Sequence, residues 1–271
     1  MGEKRENSPV IVLLERLRKL PMKVKIFLGA LLALCVLVTF KLTINHFFYF
    51  FIASEMAHAA GILVLAYKLF ALKSCSGLSL ITQELTAIYL AARLICGNLR
   101  GDNIHTLLDL ISFLSTLLVI WMIRFKLKSS YIKELDNERL YFLVVPVAIL
   151  ALLIHPYITN RITGIIWAFS MYLESISVFP QLRFMQNAKM IETFTGYYVF
   201  ALGVSRFIAL AHWIIEIYIT RGAFLFLAAS GYFWWLAAFL AEMVQSFILA
   251  DFCYYYMKSF MQGQLLRKMP V

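Results

Sequence analysis

Residues 73–93 read KSCSGLSLITQELTAIYLAAR, a short polar turn followed by an apolar run of helix length that ends on an arginine. Residues 188–206, AKMIETFTGYYVFALGVSR, repeat the design. The arginine falls 14 residues after Ser79 in the first stretch and 13 after Thr193 in the second. A guanidinium inside an apolar run is costly in lipid unless it faces protein or water. Two such runs with matching polar starts point to a membrane fold assembled from repeated helical units.

The rest of the chain agrees. Its 271 residues are 62% hydrophobic and 15% charged, with a mean hydropathy of +0.80, too apolar for a water-soluble globule. Crossing a bilayer takes about 20 apolar residues per helix, and runs of that order recur at about 26–44, 47–70, 80–98, 105–123, 140–158, 162–182, 194–217 and 224–256. No alternation of period two accompanies them, so all eight are expected as helices. The bilayer is thus a partner of nearly the whole chain. A soluble enzyme on a membrane anchor is excluded, because no stretch outside the runs could bury a core. A cleaved signal peptide is disfavoured, because the next apolar run begins at once. The expected organisation is a basic cytosolic segment at 1–25, with an amphipathic stretch from Val10 to Leu20. An extra transmembrane helix at 26–45, a seven-span domain at 47–257 and a cytosolic tail at 258–271 follow.

Lysine and arginine placement sets the orientation. With the N-terminus in the cytosol, nineteen basic residues lie on that side and four (Lys41, Arg100, Arg161, Arg221) on the other, leaving Arg93 and Arg206 inside spans. Eight spans then place both termini in the cytosol. The net charge of +10 follows from this topology, and no nucleic-acid partner is expected. Cys35, Cys75, Cys96 and Cys253 lie far apart and read as buried thiols. No phosphate loop, metal-spaced cluster or nucleophile motif occurs, so no catalytic residue, metal or cofactor is expected.

Ionisable groups within the spans carry the functional reading: Glu55 and His58, three apart on one helix face, then Arg93, Glu174, Arg206, Glu216, Glu242 and Asp251. Glu55 and His58 can be a helix-end pair, Arg93 can snorkel to an interface, and Glu174 can be a packed acid. The sharper reading is a polar cavity in which Arg93 and Glu174 serve a charged ligand. Trp167 and Trp213 share helices with these positions.

The stretch 73–93, with FLVVPVAILA (142–151), WAFSMYLESISVFPQL (167–182), YYVFALGVSRF (197–207) and ADFCYYYM (250–257), resembles the matching blocks of the ER lumen protein-retaining (KDEL) receptors over roughly residues 47–260. The additional N-terminal span is similar to that of plant receptor-like members. The resemblance implies a seven-helix bundle like SWEET and PQ-loop proteins, two three-helix repeats plus a linker helix. It implies capture of C-terminal K/H-D-E-L tails of luminal proteins in the acidic Golgi, return by retrograde coated vesicles, and release in the ER. By position, His58 matches a pH-sensing histidine and Arg93 a peptide-contacting arginine. Trp167, Glu174, Arg206 and Trp213 match the same residues, and Glu55 stands for an aspartate. Asp251 matches an aspartate linked to transport. Lys258, Arg267 and Lys268 form a basic tail suited to a vesicle coat. Against the family pattern, Phe51 and Glu216 replace arginines, Cys96 an aspartate, Gly164 a glutamate, Ser205 and Ala209 tyrosines, and His212 an asparagine. K/H-D-E-L binding is therefore expected to be weak. The alternatives are a small-solute or proton-coupled transporter on the same fold and a scaffold that binds no ligand.

Overall fold

The computed structural model describes residues 48–100, 103–157, 160–188, 192–223, 226–227 and 231–261, and no strand occurs among them. The helices are α1 (Phe48–Leu72), α2 (Leu80–Arg100), α3 (Asn103–Trp121), α4 (Leu140–Leu153), α5 (Arg161–Ser177), α6 (Phe179–Asn187), α7 (Thr193–Ile219) and α8 (Trp234–Met261). α3 continues into a π turn at Met122–Lys126. α5 and α6 form one span, Arg161–Asn187, broken at Val178 where Pro180 opens α6. Among the described residues, six spans are long and apolar enough to cross a membrane. The expected segments 1–25 and 26–45, and the tail residues Arg267 and Lys268, lie outside the described residues.

Two expected spans are corrected. The run 140–158 forms only the 14-residue α4, about 21 Å long at 1.5 Å per residue. It stops at Leu153 because Pro156 drives the preceding residue out of helical geometry, and Ile154 is already extended. The last helix starts at Trp234, ten residues later than expected. Gly231 there holds φ +93°, a conformation glycine reaches freely and no helix continues through.

The packing has a symmetry that the sequence echo foreshadows. α1 packs on α7 and α3, α2 on α3 and α5, and α8 on α7 and α5. Exchanging α1 with α5, α2 with α7 and α3 with α8 reproduces these contacts. The bundle is thus two three-helix units, with α4 as linker, and the echoing stretches sit on α2 and α7, which exchange with each other. Large apolar side chains such as Tyr67, Leu114, Phe142 and Phe247 remain exposed on the outside, as a lipid-facing surface requires.

At the end bearing the charged loop 127–139, polar side chains tie the units together. Asp136 accepts hydrogen bonds from Ser79 Oγ and Leu80 N (2.7 Å each), Ile81 N (3.2 Å) and Tyr131 Oη (2.6 Å), capping α2 from a distant loop. Burial, reinforced by Asp136, pushes the Tyr131 phenol well above its ordinary pKa. Gln181 accepts from Ser79 N at 2.9 Å and donates to the Gly77 carbonyl at 2.8 Å. Gly77 needs its freedom here, with φ +82°. Lys68, one of the nineteen basic residues assigned to the cytosolic side, is wholly buried. Its Nζ donates to Glu192, to Thr195 Oγ1 (3.0 Å) and to the Ser76 carbonyl (3.1 Å), fastening α1 and the 73–79 turn to the start of α7. Cys75, Cys96 and Cys253 are buried. Burial raises the Cys75 thiol pKa, so that thiol is expected to resist maleimide in the folded chain.

Candidate functional site

The opposite half of the bundle gathers the start of α1, the end of α2, the start of α3, the last turn of α5 and the second half of α7. Arg93, late in α2, donates from Nη2 to Glu174 Oε2 and lies 3.5 Å from Asp109 Oδ1 through Nη1. Arg206 of α7 meets the other Glu174 oxygen at 2.8 Å. One carboxylate on α5 is therefore held between two arginines that occupy equivalent places in the two units. All three side chains are buried or nearly so. At such depth charges persist only as partners.

His58 is buried, with Nε2 3.1 Å from Tyr89 Oη, and the Tyr89 ring lies 5.6 Å below the Arg93 guanidinium. His58, Thr82, Tyr89, Ser177, Arg206 and Gln245 wall a cavity of ≈ 10 Å³, room for one water. The Oγ1 of Thr82, on that wall, has no protein hydrogen-bond partner. Glu242 of α8 lies within electrostatic reach of Arg206 and Glu174, and its Oε2 also lacks a hydrogen-bond partner.

Nearer the helix ends a second group forms an arc. Glu55 Oε2 stands 2.6 Å from His105 Nδ1. The His105 ring is 4.9 Å from Phe51, centroid to centroid, and Phe51 is 5.7 Å from His212. His212 Nε2 is 3.8 Å from Glu216 one turn on. Among the described residues no group of three or more His, Cys, Asp or Glu side chains is placed to hold a metal ion.

Of the residues singled out from sequence, Glu55, His58, Arg93, Glu174 and Arg206 converge. Trp167 and Trp213 pack partly buried in an apolar cluster beside them, Trp213 edge-on to Trp235 at 6.0 Å. Each is seven residues from its neighbour in the ion cluster, about 10 Å along the helix. Asp251 points outward from α8 and Lys258 is exposed, 5.9 Å from the Tyr254 ring; neither belongs to the cluster. Sequence reasoning missed Asp109 and His105. The signal for Asp109 was present, an acid inside an apolar run.

Three of the positions at which the resemblance leads one to expect other residues make local contacts. Cys96 Sγ donates to the Thr163 carbonyl at 3.6 Å. Ser54 Oγ donates to the Ser205 carbonyl at 3.0 Å. At Gly164 a Cβ would stand 2.5 Å from the Pro156 carbonyl oxygen, so glycine is what lets the chain after α4 lie against α5.

Comparison with known proteins bears on this bundle. The family model described as "ER lumen protein retaining receptor" matches residues 74–216. The ER lumen protein-retaining receptor of Petunia hybrida is 35% identical over 215 residues, 78% of this chain and 94% of that protein. Receptor B of Arabidopsis thaliana is 35% identical over 221 residues, covering 80% and 97%. A Caenorhabditis elegans receptor is 32% identical over 224, covering 82% and 99%. With a family match across more than half its length and relatives covered almost end to end, this multi-pass membrane protein belongs to the ER lumen protein-retaining receptor family.

Proposed function

We propose that the chain is a receptor in ER and Golgi membranes that binds the C-terminal tails of luminal proteins through Arg93 and Arg206. The observation that carries this reading is the single carboxylate of Glu174 held between two equivalent arginines. A guanidinium pair already arranged around one carboxylate is arranged for another, and a ligand's terminal carboxylate can take over what Glu174 now satisfies. Glu55, His58, Trp167 and Trp213 would flank the tail, with His58 supplying acid dependence. The basic loop 127–139 marks the cytosolic side, so the ion cluster opens toward the lumen. Asp251, Lys258, Arg267 and Lys268 would serve trafficking, the last three toward a retrograde vesicle coat.

An HDEL peptide is expected to bind the purified chain weakly between pH 5.4 and 7.4, because Phe51 and Glu216 stand where arginines would grip its acids. Phe51→Arg with Glu216→Arg should raise affinity by at least about 100-fold, since each restored charge-assisted hydrogen bond contributes about 1.5–3 kcal/mol. Amidating the peptide's C-terminus, which removes the carboxylate assigned to Arg93 and Arg206, should weaken binding to the parent and the double variant alike. No binding by the double variant would overturn the reading and favour a solute or proton-coupled transporter. Topology has its own test. Tags at both termini should be protease-accessible on intact microsomes, and a protected N-terminal tag would remove the additional span from the scheme.

A further inference from the structure

The arc at the outer end of the cluster has the wrong charge for an acidic tail. Glu55, Asp109, Glu174 and Glu216, the acids with ion-pair partners here, are four carboxylates against the two guanidiniums of Arg93 and Arg206, an excess of two negative charges with the histidines neutral. The inner charges are spent on one another, since Glu174 holds both arginines and Asp109 adds to Arg93. The outer carboxylates are not. Glu55 and Glu216 have histidines as their ion-pair partners, His105 and His212, and these neutralise them only when protonated. Between the two pairs lies the face of Phe51, its ring near both imidazoles. Glu216 and His212 keep part of their side chains exposed, 25% and 14%, so the arc is reachable from outside.

Two carboxylates flanking an aromatic ring are chemistry for a cation. The ring's quadrupole and the acids attract the same charge, whereas an aspartate or glutamate placed there meets like charge. From this geometry we infer that the receptor selects tails with a basic side chain at the second or third position from the C-terminus, where K/H-D-E-L tails carry acids, with Phe51, Glu55 and Glu216 as its specificity-determining residues. This rests on the receptor reading above. The terminal carboxylate goes to Arg93 and Arg206, and the lysine or arginine lies against Phe51 between the two acids.

The test uses the full chain, purified in detergent, at one pH of 6.5. Three fluorescent octapeptides, identical except for endings Lys-Lys-Leu, Gln-Gln-Leu and Asp-Glu-Leu, are compared with their C-terminal amides. The lysine tail is expected to bind about tenfold tighter than the glutamine tail, the equivalent of one favourable charge contact, and the acidic tail weakest. Glu216→Gln, on the partly exposed outer turn of α7, should shrink the lysine-over-glutamine advantage several-fold. Phe51→Leu should act in the same direction, which keeps the outcome readable should Glu216→Gln fail to fold. If free-acid tails outbind their amides but lysine gives no advantage, the basic preference falls and the receptor reading stands. If no tail outbinds its amide, the carboxylate grip fails and both readings fall with it.

Discussion

Replacing Arg93 with methionine is expected to lower the stability of the purified chain by about 3–5 kcal/mol. Arg93 is the hub of the buried cluster, bonded to Glu174, facing Asp109 at 3.5 Å and stacked over Tyr89. Methionine fills much the same volume, so the loss measures charge rather than a cavity. What remains is Asp109 without its ion-pair partner and Glu174 with Arg206 alone. Thermal unfolding in detergent should show a midpoint lowered by roughly 10 °C. The deficit should shrink in acid, where a proton replaces the missing counter-charge. Arg93→Lys should recover part of the loss, since it restores the charge but not the fork that reaches two acids at once. A variant as stable as the parent would mean that the cluster contributes nothing to folding.

The second large effect is expected from Asp136→Ala, at the other end of the molecule. One carboxylate there takes four hydrogen bonds and caps α2 from a loop more than 50 residues away in sequence. Removing it strands a buried Ser79 hydroxyl and two backbone N–H groups at a helix start. The cost should be about 3 kcal/mol, the size of one lost helix cap, about 1, plus one lost buried hydrogen bond to a charged group, about 1.5–3, with the other donors turning to water. Because the carboxylate also pins Tyr131, the loop should loosen locally before the bundle melts. Faster tryptic cleavage at Lys128 and Lys133 in the variant would report this. Asp136→Asn, which keeps an acceptor but not the charge, should fall between. Unchanged cleavage would place the loop's anchorage elsewhere, for instance on Ser130 and Cys75.

Much of the architecture was legible because lipid leaves few choices. Long apolar runs must be helices, and the ionisable residues within them must find partners inside the protein. That logic brought out Glu55, His58, Arg93, Glu174 and Arg206, which do converge, and the 73–93 and 188–206 echo, which falls on exchanging helices. It failed where geometry rather than hydropathy decides. Pro156 and Gly231 cut helices short inside apolar stretches. Lys68 looks like an interfacial cation by its position, yet Glu192, 124 residues away, draws it into the interior. His105 near the start of α3 became part of the site only once α1 lay beside it. Trp167 and Trp213 shared helices with charged residues, but the helical repeat left them two turns from the ions.

The close passage of Pro156 against Gly164 limits how this site can change. The Pro156 carbonyl oxygen fills the space that even the first carbon of a side chain at position 164 would need. No acid, nor any other side chain, can be installed there by a single substitution without moving backbone. The α4–α5 connection would first have to be rerouted or lengthened. New ligand chemistry is therefore reached more cheaply by exchanging one side chain for another, as at Phe51 or Glu216, than by adding one at Gly164.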